Sequence, residues 1–483
     1  MRADRAVRWL ASVSASLALA GCALAPAYHA PHTAAPPAFK ETGAAGDALA
    51  VSGWRDATPR DGDPRGPWWT AFHDPVLDDL ELRAERASPT LAAALARYDS
   101  ALAATRAARA DLFPQVGVSA GDSLNQLSAN RPLSNGPVAN YTDLRIGGTA
   151  TYEADLWGRI RNRVASARAD AEASQADLGS AHLSLQTSVA DAYARLRGLD
   201  AEAALLNATV VAYTRAYDLT RRRHDGGIAS GVDVNRAQTV LANARAQISA
   251  VAQTRAATEH ELAALIGELA TSFAVAPRAD NGPLPLAVPP FGAGVPSTLL
   301  ERRPDVAAAE RRITAANARI GVARAAFFPT ITLGAGGGFE TTGAALLTAP
   351  SAFWALGPAL AALTVFDGGR RAAQVRIARD EYDQLAATYR DTVLTAFRQT
   401  EDALAAQRLL ATQAADQQAA ADAAARTSSL AFIRYRDGAS NYLEVVTAQT
   451  DALTAERALI QVQTQRSQAA VALVKALGGG MVL

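Results

Sequence analysis

The sequence predicts a mainly α-helical chain with a smaller membrane β portion, built as a tandem repeat. Three observations carry this reading. Motifs recur at a fixed spacing, two helical stretches of about 66 residues contain no proline, and short segments alternate apolar with small or polar residues.

The repeat fixes the frame. Pro89 recurs as Pro304 and Phe113-Pro114 as Phe328-Pro329, both 215 residues later. From Gly158-Arg159 onward the spacing is 211, giving Gly369-Arg370, then Gly227 and Gly438, Asp233-Val234 and Glu444-Val445, and Gly267 and Gly478. A constant offset, one loop shortened by four residues, and a second constant offset define a duplicated unit. The expected units are 76–269 and 298–478, separated by a Pro-rich linker at 270–297 and followed by a short tail at 479–483. Prolines cluster in residues 26–67 and 277–296, outside the repeats.

Each unit has the same order. A helix of about 24 residues (89 to 112) must stop at Phe113-Pro114, because proline cannot continue it and disfavours helix just before itself. Two strands follow. Val116, Val118 and Ala120 share one face against Gly117, Ser119 and Gly121, and Leu144, Ile146 and Tyr152 oppose Arg145, Thr149 and Glu153. The second unit repeats this with Ile331, Leu333 and Phe339 against Thr330, Thr332 and Gly338. Such period-two patterning suits a membrane barrel. The last strand, expected at about 352 to 366, is hydrophobic on both faces. Long helices are then expected over about 159–224 and 370–435, each roughly 100 Å long at 1.5 Å per residue. Each is followed by a glycine turn and a helix of about 36 residues. Val375, Ala378, Tyr382, Leu385 and Tyr389 have coiled-coil-like 3-4 spacing.

Composition narrows the function. The 47 Lys+Arg balance 47 Asp+Glu, so no basic excess points to nucleic acid. The single cysteine excludes a disulfide framework and any cysteine-based zinc or iron–sulfur site. That cysteine, Cys22, ends the run Leu19-Ala20-Gly21 behind a basic segment with Arg2, Arg5 and Arg8 and an apolar stretch too short to span a bilayer. Residues 1–21 read as a lipoprotein signal peptide, Cys22 as the lipidation site, and 22–75 as an extended lipidated tail. The alternative is a buried free cysteine after an ordinary signal. Removing three arginines and one aspartate from a balanced chain leaves a formal charge of −2.

No enzyme is expected. Gly117-Val118-Ser119-Ala120-Gly121 matches the nucleophile-elbow pattern but lies in an alternating strand, where the required strand-to-helix turn is missing. The six histidines are scattered. No cofactor or metal constellation emerges.

Four strands cannot close a barrel, and open edges in lipid leave backbone groups unsatisfied at several kcal/mol each. The chain is therefore expected to share a barrel among copies, eight strands for two or twelve for three.

Leu300-Glu301-Arg302-Arg303-Pro304-Asp305-Val306 with Ala309-Glu310, Ala326-Phe327-Phe328-Pro329, Tyr152-Glu153-Ala154-Asp155-Leu156-Trp157-Gly158-Arg159 and the tandem glycine turns resemble the signature of outer-membrane efflux factors of the NodT type. The resemblance runs from the cysteine to Gly478. It implies a TolC-like homotrimer with a 12-stranded outer-membrane barrel and a long periplasmic helical tunnel. It also implies a periplasmic adaptor and an inner-membrane RND transporter as partners, with this chain a passive exit duct for drugs or other small molecules. Two other readings stand beside it: the outer-membrane duct of a type I protein secretion system, and a non-conducting structural coiled-coil lipoprotein.

The glycine turns are the expected periplasmic gate, formed by Arg223, Asp225, Gly227, Asp233, Arg434, Tyr435, Arg436, Gly438 and Glu444. Ser230-x-x-Asp233 and Asn441-x-x-Glu444 read first as capping boxes. Threefold copies of Asp233 and Glu444 would also favour cations in a closed pore. By the resemblance, Tyr435 contacts Asp233. Ser440 stands where the family often has arginine and Thr447 where it often has a second acid, which implies a looser latch or one that uses Arg434 or Arg436 instead.

Overall fold

Prolines and glycines set the helix boundaries. A computed structural model describes residues 24–30, 36, 39–41, 60, 62, 66–126, 128, 140–277, 296–342 and 351–479. The expected signal peptide, Cys22 and most of the 270–297 linker lie outside the described residues. In chain order the elements are α1 (Pro75–Ala87), α2 (Pro89–Ala110), β1 (Gln115–Gln126), β2 (Asn140–Ala154), α3 (Arg159–Asp225) and α4 (Gly231–Leu265). Then come α5 (Pro296–Arg302), α6 (Pro304–Ala325), β3 (Thr330–Thr342), β4 (Ser351–Ala362), α7 (Arg370–Arg436) and α8 (Tyr442–Ala476). They pack as two compact units, 1–32 with 97–174 and 308–389, and 33–96 with 175–307 and 390–483, so each unit draws on both repeats.

The first unit holds one antiparallel sheet in the order β1-β2-β3-β4, with β2 against β3 joining the two repeats. Register places the expected faces together. Arg145 pairs with Gly121 and Glu340, and Thr149 with Gly117 and Gly336. The other face exposes Val116, Val118, Leu124, Ile146, Phe339, Trp354 and Leu356. β4 is shorter than expected. It is out of regular register opposite Leu333/Ala335, across from Gly357-Pro358, and ends at Ala362, leaving Val365 and Phe366 beyond it and exposed. Proline has no N–H for the ladder, which suits its place at this irregularity.

The strand–helix junction brings together motifs that are far apart in sequence. Trp157 Nε1 donates to the Pro329 carbonyl at 2.8 Å, and its ring stacks on Phe328 with centroids 4.8 Å apart. Arg159 holds Glu153 through two bonds of 2.8 and 2.6 Å. Asp155 accepts from the Ile160 and Arg161 amides, satisfying donors that the start of α3 leaves free.

The second unit has a fuller core. Trp68, Trp69 and Phe72 sit in a 3-10 turn and pack with Leu77, Leu80, Tyr193, Leu196, Leu262, Ile266 and Val471. The segment 22–75 is thus not extended to its end, because three aromatics bury its last residues. α1 and α5 are also additions to the expected helix order, each ending just before the proline that opens the next helix. At that break the chain admits no side chain from α4: a Cβ on Gly267 would stand 2.2 Å from the Ala87 carbonyl oxygen. The equivalent glycine after α8, Gly478, lies against Arg302 and Arg303. Arg303 donates to the Ala476 carbonyl at 3.0 Å, to Asp305 at 2.6 Å and to Gln399 at 2.9 Å, tying the end of α8 to the start of α6.

Two arginines at equivalent repeat positions receive incoming segments. Arg197 is buried with Asp200 and donates to the Ala276 carbonyl at 3.0 Å, while Arg255 bonds Asp200 and the Val275 carbonyl. Arg408, 211 residues later, binds Glu41 at 2.6 Å, and the Lys40 and Glu41 amides donate to Glu401. The first site fixes the entry to the linker. The second pins the N-terminal tail.

Glu81 opposes the core it sits in. It is fully buried on α1, and neither carboxylate oxygen has a hydrogen-bond partner. Burial first, then the charges of Glu85 and Asp78, push its pKa from 4.5 to about 9. The folded chain therefore keeps a proton that the unfolded chain releases, and stability falls as pH rises from about 4.5 to about 9. Glu81→Gln should change the thermal midpoint little at about pH 5 and raise it at about pH 8, read by unfolding in detergent. Equal shifts at both pH values would show that Glu81 is ionised in the fold.

Candidate functional site: the helix turns, the tail strap and the sheet faces

The two glycine turns are built by the same backbone bonds. Gly226, Gly227 and Ile228 donate to the carbonyls of Arg222, His224 and Arg223, and Asp437, Gly438 and Ala439 donate to those of Ile433, Tyr435 and Arg434. Every pair is offset by 211 residues. Gly227 (φ +74°) and Gly438 (φ +84°) take the left-handed conformation that ends each long helix. The caps then differ. Ser230 and Asp233 form a full capping box, whereas Asn441 accepts from the Glu444 amide and the Glu444 carboxylate pairs with Arg434 at 3.2 Å.

A small core joins the two turns. Ala216, Ala237, Tyr435, Tyr442 and Val445 are buried together, with the Tyr435 and Tyr442 rings edge to face at 5.6 Å. The Tyr435 hydroxyl donates to Thr220 Oγ1 at 3.1 Å, and Thr220 donates to the Ala216 carbonyl at 2.8 Å. The Arg223 guanidinium lies 4.5 Å above the Tyr435 ring and donates to the Arg436 carbonyl at 3.1 Å. Burial, and after it the neighbouring Tyr435, raises the pKa of Tyr442.

Several expected partners differ. Within the chain Tyr435 meets Thr220 instead of Asp233, because the Asp233 carboxylate is turned to Ser230. Arg434 pairs with Glu444, and Arg436 with its neighbour Asp437, which holds the Asp437 carboxyl below its ordinary range. Asp225 is exposed. The structure thus brings Arg223, Arg434, Tyr435, Arg436, Gly438 and Glu444 into one cluster but does not pair either arginine with Asp225 or Asp233. Sequence reasoning missed Thr220 and Tyr442. Tyr442 had a signal, since it stands where the first repeat has Gly231. Thr220 aligns with Ala431, a change too common to mark a site.

The N-terminal tail forms a strap on the first unit. The Pro26 carbonyl accepts from Asn317 Nδ2 at 2.8 Å, and the Leu24 carbonyl from Arg324 Nη1 at 3.2 Å. Arg324 is in the last turn of α6, just before β3.

The polar face of the sheet carries Thr149, Thr151, Thr332 and an ion triad. Arg145 pairs with Asp143 at 3.1 Å and with Glu340 at 2.9 Å. Ser119 lies within β1 opposite Gly147, so the elbow-like pattern forms a strand. Among the described residues no group of three or more His, Cys, Asp or Glu is placed to hold a metal, and no helix is long and apolar enough to cross a membrane.

The profile of the outer membrane efflux protein family matches residues 82–268 and 295–479. The chain is 32% identical over 471 residues to the antibiotic efflux pump outer membrane protein ArpC of Pseudomonas putida, covering 96% of this chain and 93% of that protein. It is 34% identical over 478 residues to the outer membrane protein OprJ of Pseudomonas aeruginosa, covering 96% and 94%. The fold superposes on the solved outer-membrane channel OprN with a TM-score of 0.83 at 29% identity, covering 95% of this chain and 99% of that one.

Tyr435 and Thr220 are both buried, so their bond should show as coupling. In unfolding measurements Tyr435→Phe and Thr220→Val should be non-additive by about 0.5–1.5 kcal/mol, the net worth of one hydrogen bond. Strict additivity would mean that the contact contributes nothing.

Proposed function

The chain belongs to the outer membrane efflux protein family, and from that premise we propose that it works as a homotrimeric, lipid-anchored exit duct fed by a periplasmic adaptor and an inner-membrane RND transporter. As in its family, it is an outer-membrane channel of a bacterial efflux pump. The observation that carries the trimer is the sheet. It has one exposed apolar face, one polar face and two unpaired edges, β1 and β4, and lipid tolerates none of those edges. Three copies supply twelve strands, enough for a water-filled lumen with the polar face inward. Cargo would pass without covalent chemistry, driven by the pump.

The cluster at the helix turns is the proposed gate. Thr220 and Arg223 come from the first repeat and Tyr435 and Arg436 from the second, so their bonds clasp the two hairpins. An adaptor that binds the parted form more tightly would shift the population toward opening. The exposed pair Arg434–Glu444 adds little by itself.

The strap supports lipidation of Cys22. Only Ala23 lies between it and the anchored Leu24, two Cα steps or at most ~7 Å. The intact mass of membrane-extracted protein should show loss of residues 1–21 and added acyl groups on Cys22. An unmodified thiol would exclude the anchor.

In planar bilayers, Tyr435→Phe combined with Arg223→Ala should raise single-channel conductance and sensitise cells to large antibiotics. Asp233→Ala should weaken the helix cap with a smaller effect on opening. Gln413→Ala, an exposed helix position, serves as the control. Heat-modifiable migration on gels monitors the trimer in every variant. If the tip variants assemble and conduct like the parent, the clasp does not gate.

A further inference from the structure

On the polar sheet face most side chains are small or polar, and the larger apolar ones are Tyr141 at the start of β2 and Phe353 and Leu360 on β4. Register puts Phe353 opposite Gly338, which in turn faces Gly147, and Ser351 opposite Glu340. Phe353 therefore shares the face of Arg145 and Glu340. Its Cζ atom comes within 3.4 Å of where a Cβ on Gly147 would stand, so the ring reaches across β3 and lies over bare glycine backbone on β2. No side chain on Gly147 or Gly338 covers it, and 38% of the residue stays exposed.

Next to the ring is an excess of acid. Asp143 and Glu340 share the single guanidinium of Arg145, and Glu340 remains 41% exposed. Two carboxylates against one guanidinium leave one net negative charge per chain. Phe353 and Glu340 are diagonal neighbours on adjacent strands, a separation of about 7–8 Å. These residues all lie near the strand ends that lead into the loops following β1 and β3.

An aromatic ring beside uncompensated negative charge on a wall built mostly of small and polar residues suits one ligand chemistry. We propose that this end of the sheet is a contact site for lipophilic organic cations leaving the duct, with Phe353 supplying the ring and the Asp143–Arg145–Glu340 triad the charge. The proposal rests on the reading that the polar face lines the lumen. It adds a specificity element away from the helical tip. The ring attracts cations that carry apolar surface, whereas the acids act on any cation. Three copies would place three such contacts around the exit. The open face gives weak, reversible contact, which conduction requires.

Block of the channel by two probes separates these effects. Tetraphenylphosphonium and tetraethylammonium are added to the loop side of bilayers holding the full-length trimer, and the half-blocking concentration of each is read. The parent should be blocked at lower concentration by tetraphenylphosphonium. Phe353→Ala should raise the half-blocking concentration of tetraphenylphosphonium by roughly two- to fivefold, the effect of one exposed aromatic contact, and that of the smaller tetraethylammonium by less. Phe353→Trp should retain block, and Glu340→Gln should weaken both probes. A Phe353→Ala trimer that conducts and is blocked like the parent overturns the site. A parent that forms no conducting trimer overturns the duct reading itself and this inference with it.

Discussion

The governing constraint is the unpaired backbone of β1 and β4. A four-stranded sheet with an apolar face belongs in lipid, yet its edge N–H and C=O groups find no partner there. Much else is consistent with relieving that conflict. The apolar face carries Val, Ile, Leu, Phe and Trp, so it can meet acyl chains, and the opposite face is mostly Gly, Ser and Thr around the Asp143–Arg145–Glu340 triad and Phe353. The Trp157–Phe328–Pro329 contact and the Glu153–Arg159 bridge then hold the strands at a defined entry into α3.

The helices meet a different requirement. Segments of 67 residues cannot rely on a thick core, and the first unit packs mostly on alanine, with Ala169, Ala173, Ala308, Ala315 and Ala316 buried. Small side chains allow close helix approach but give few distinctive contacts. Specificity is carried instead by isolated polar locks, such as Arg197 with Asp200 and Arg303 with Asp305, Gln399 and the Ala476 carbonyl. Removing Asp200 would leave Arg197 and Arg255 without the carboxylate they share, which makes such a site costly to alter.

Most of the architecture was legible because its signals are local. Proline at 89, 114, 304 and 329, glycine at 227 and 438, and period-two strands each act within a few residues, and the 211-residue offset recurs in three bonds of each glycine turn. What escaped depends on partners far apart in the chain. The aromatic turn at Trp68–Phe72 is recognisable as structure only once Leu196 and Val471 are seen against it. The partner of Tyr435 followed from the family resemblance and pointed to Asp233. The structure spends that acid on Ser230 and offers Thr220, a residue with no motif around it. Paired side chains compete for each other, and a sequence does not reveal which competitor wins.

The replacement of Gly231 by Tyr442 has a consequence for symmetry. The two turns share their backbone bonds, so a ring of these chains has twice as many near-identical hairpins as subunits. The buried ring of Tyr442 exists on only one hairpin of each pair, and it packs against Tyr435 of the same hairpin and Ala216 and Ala237 of the other. Alternate hairpins are therefore mechanically inequivalent. Parting the two hairpins of a chain would uncover the Tyr442 ring, so the cost of that movement sits on the second-repeat hairpin alone.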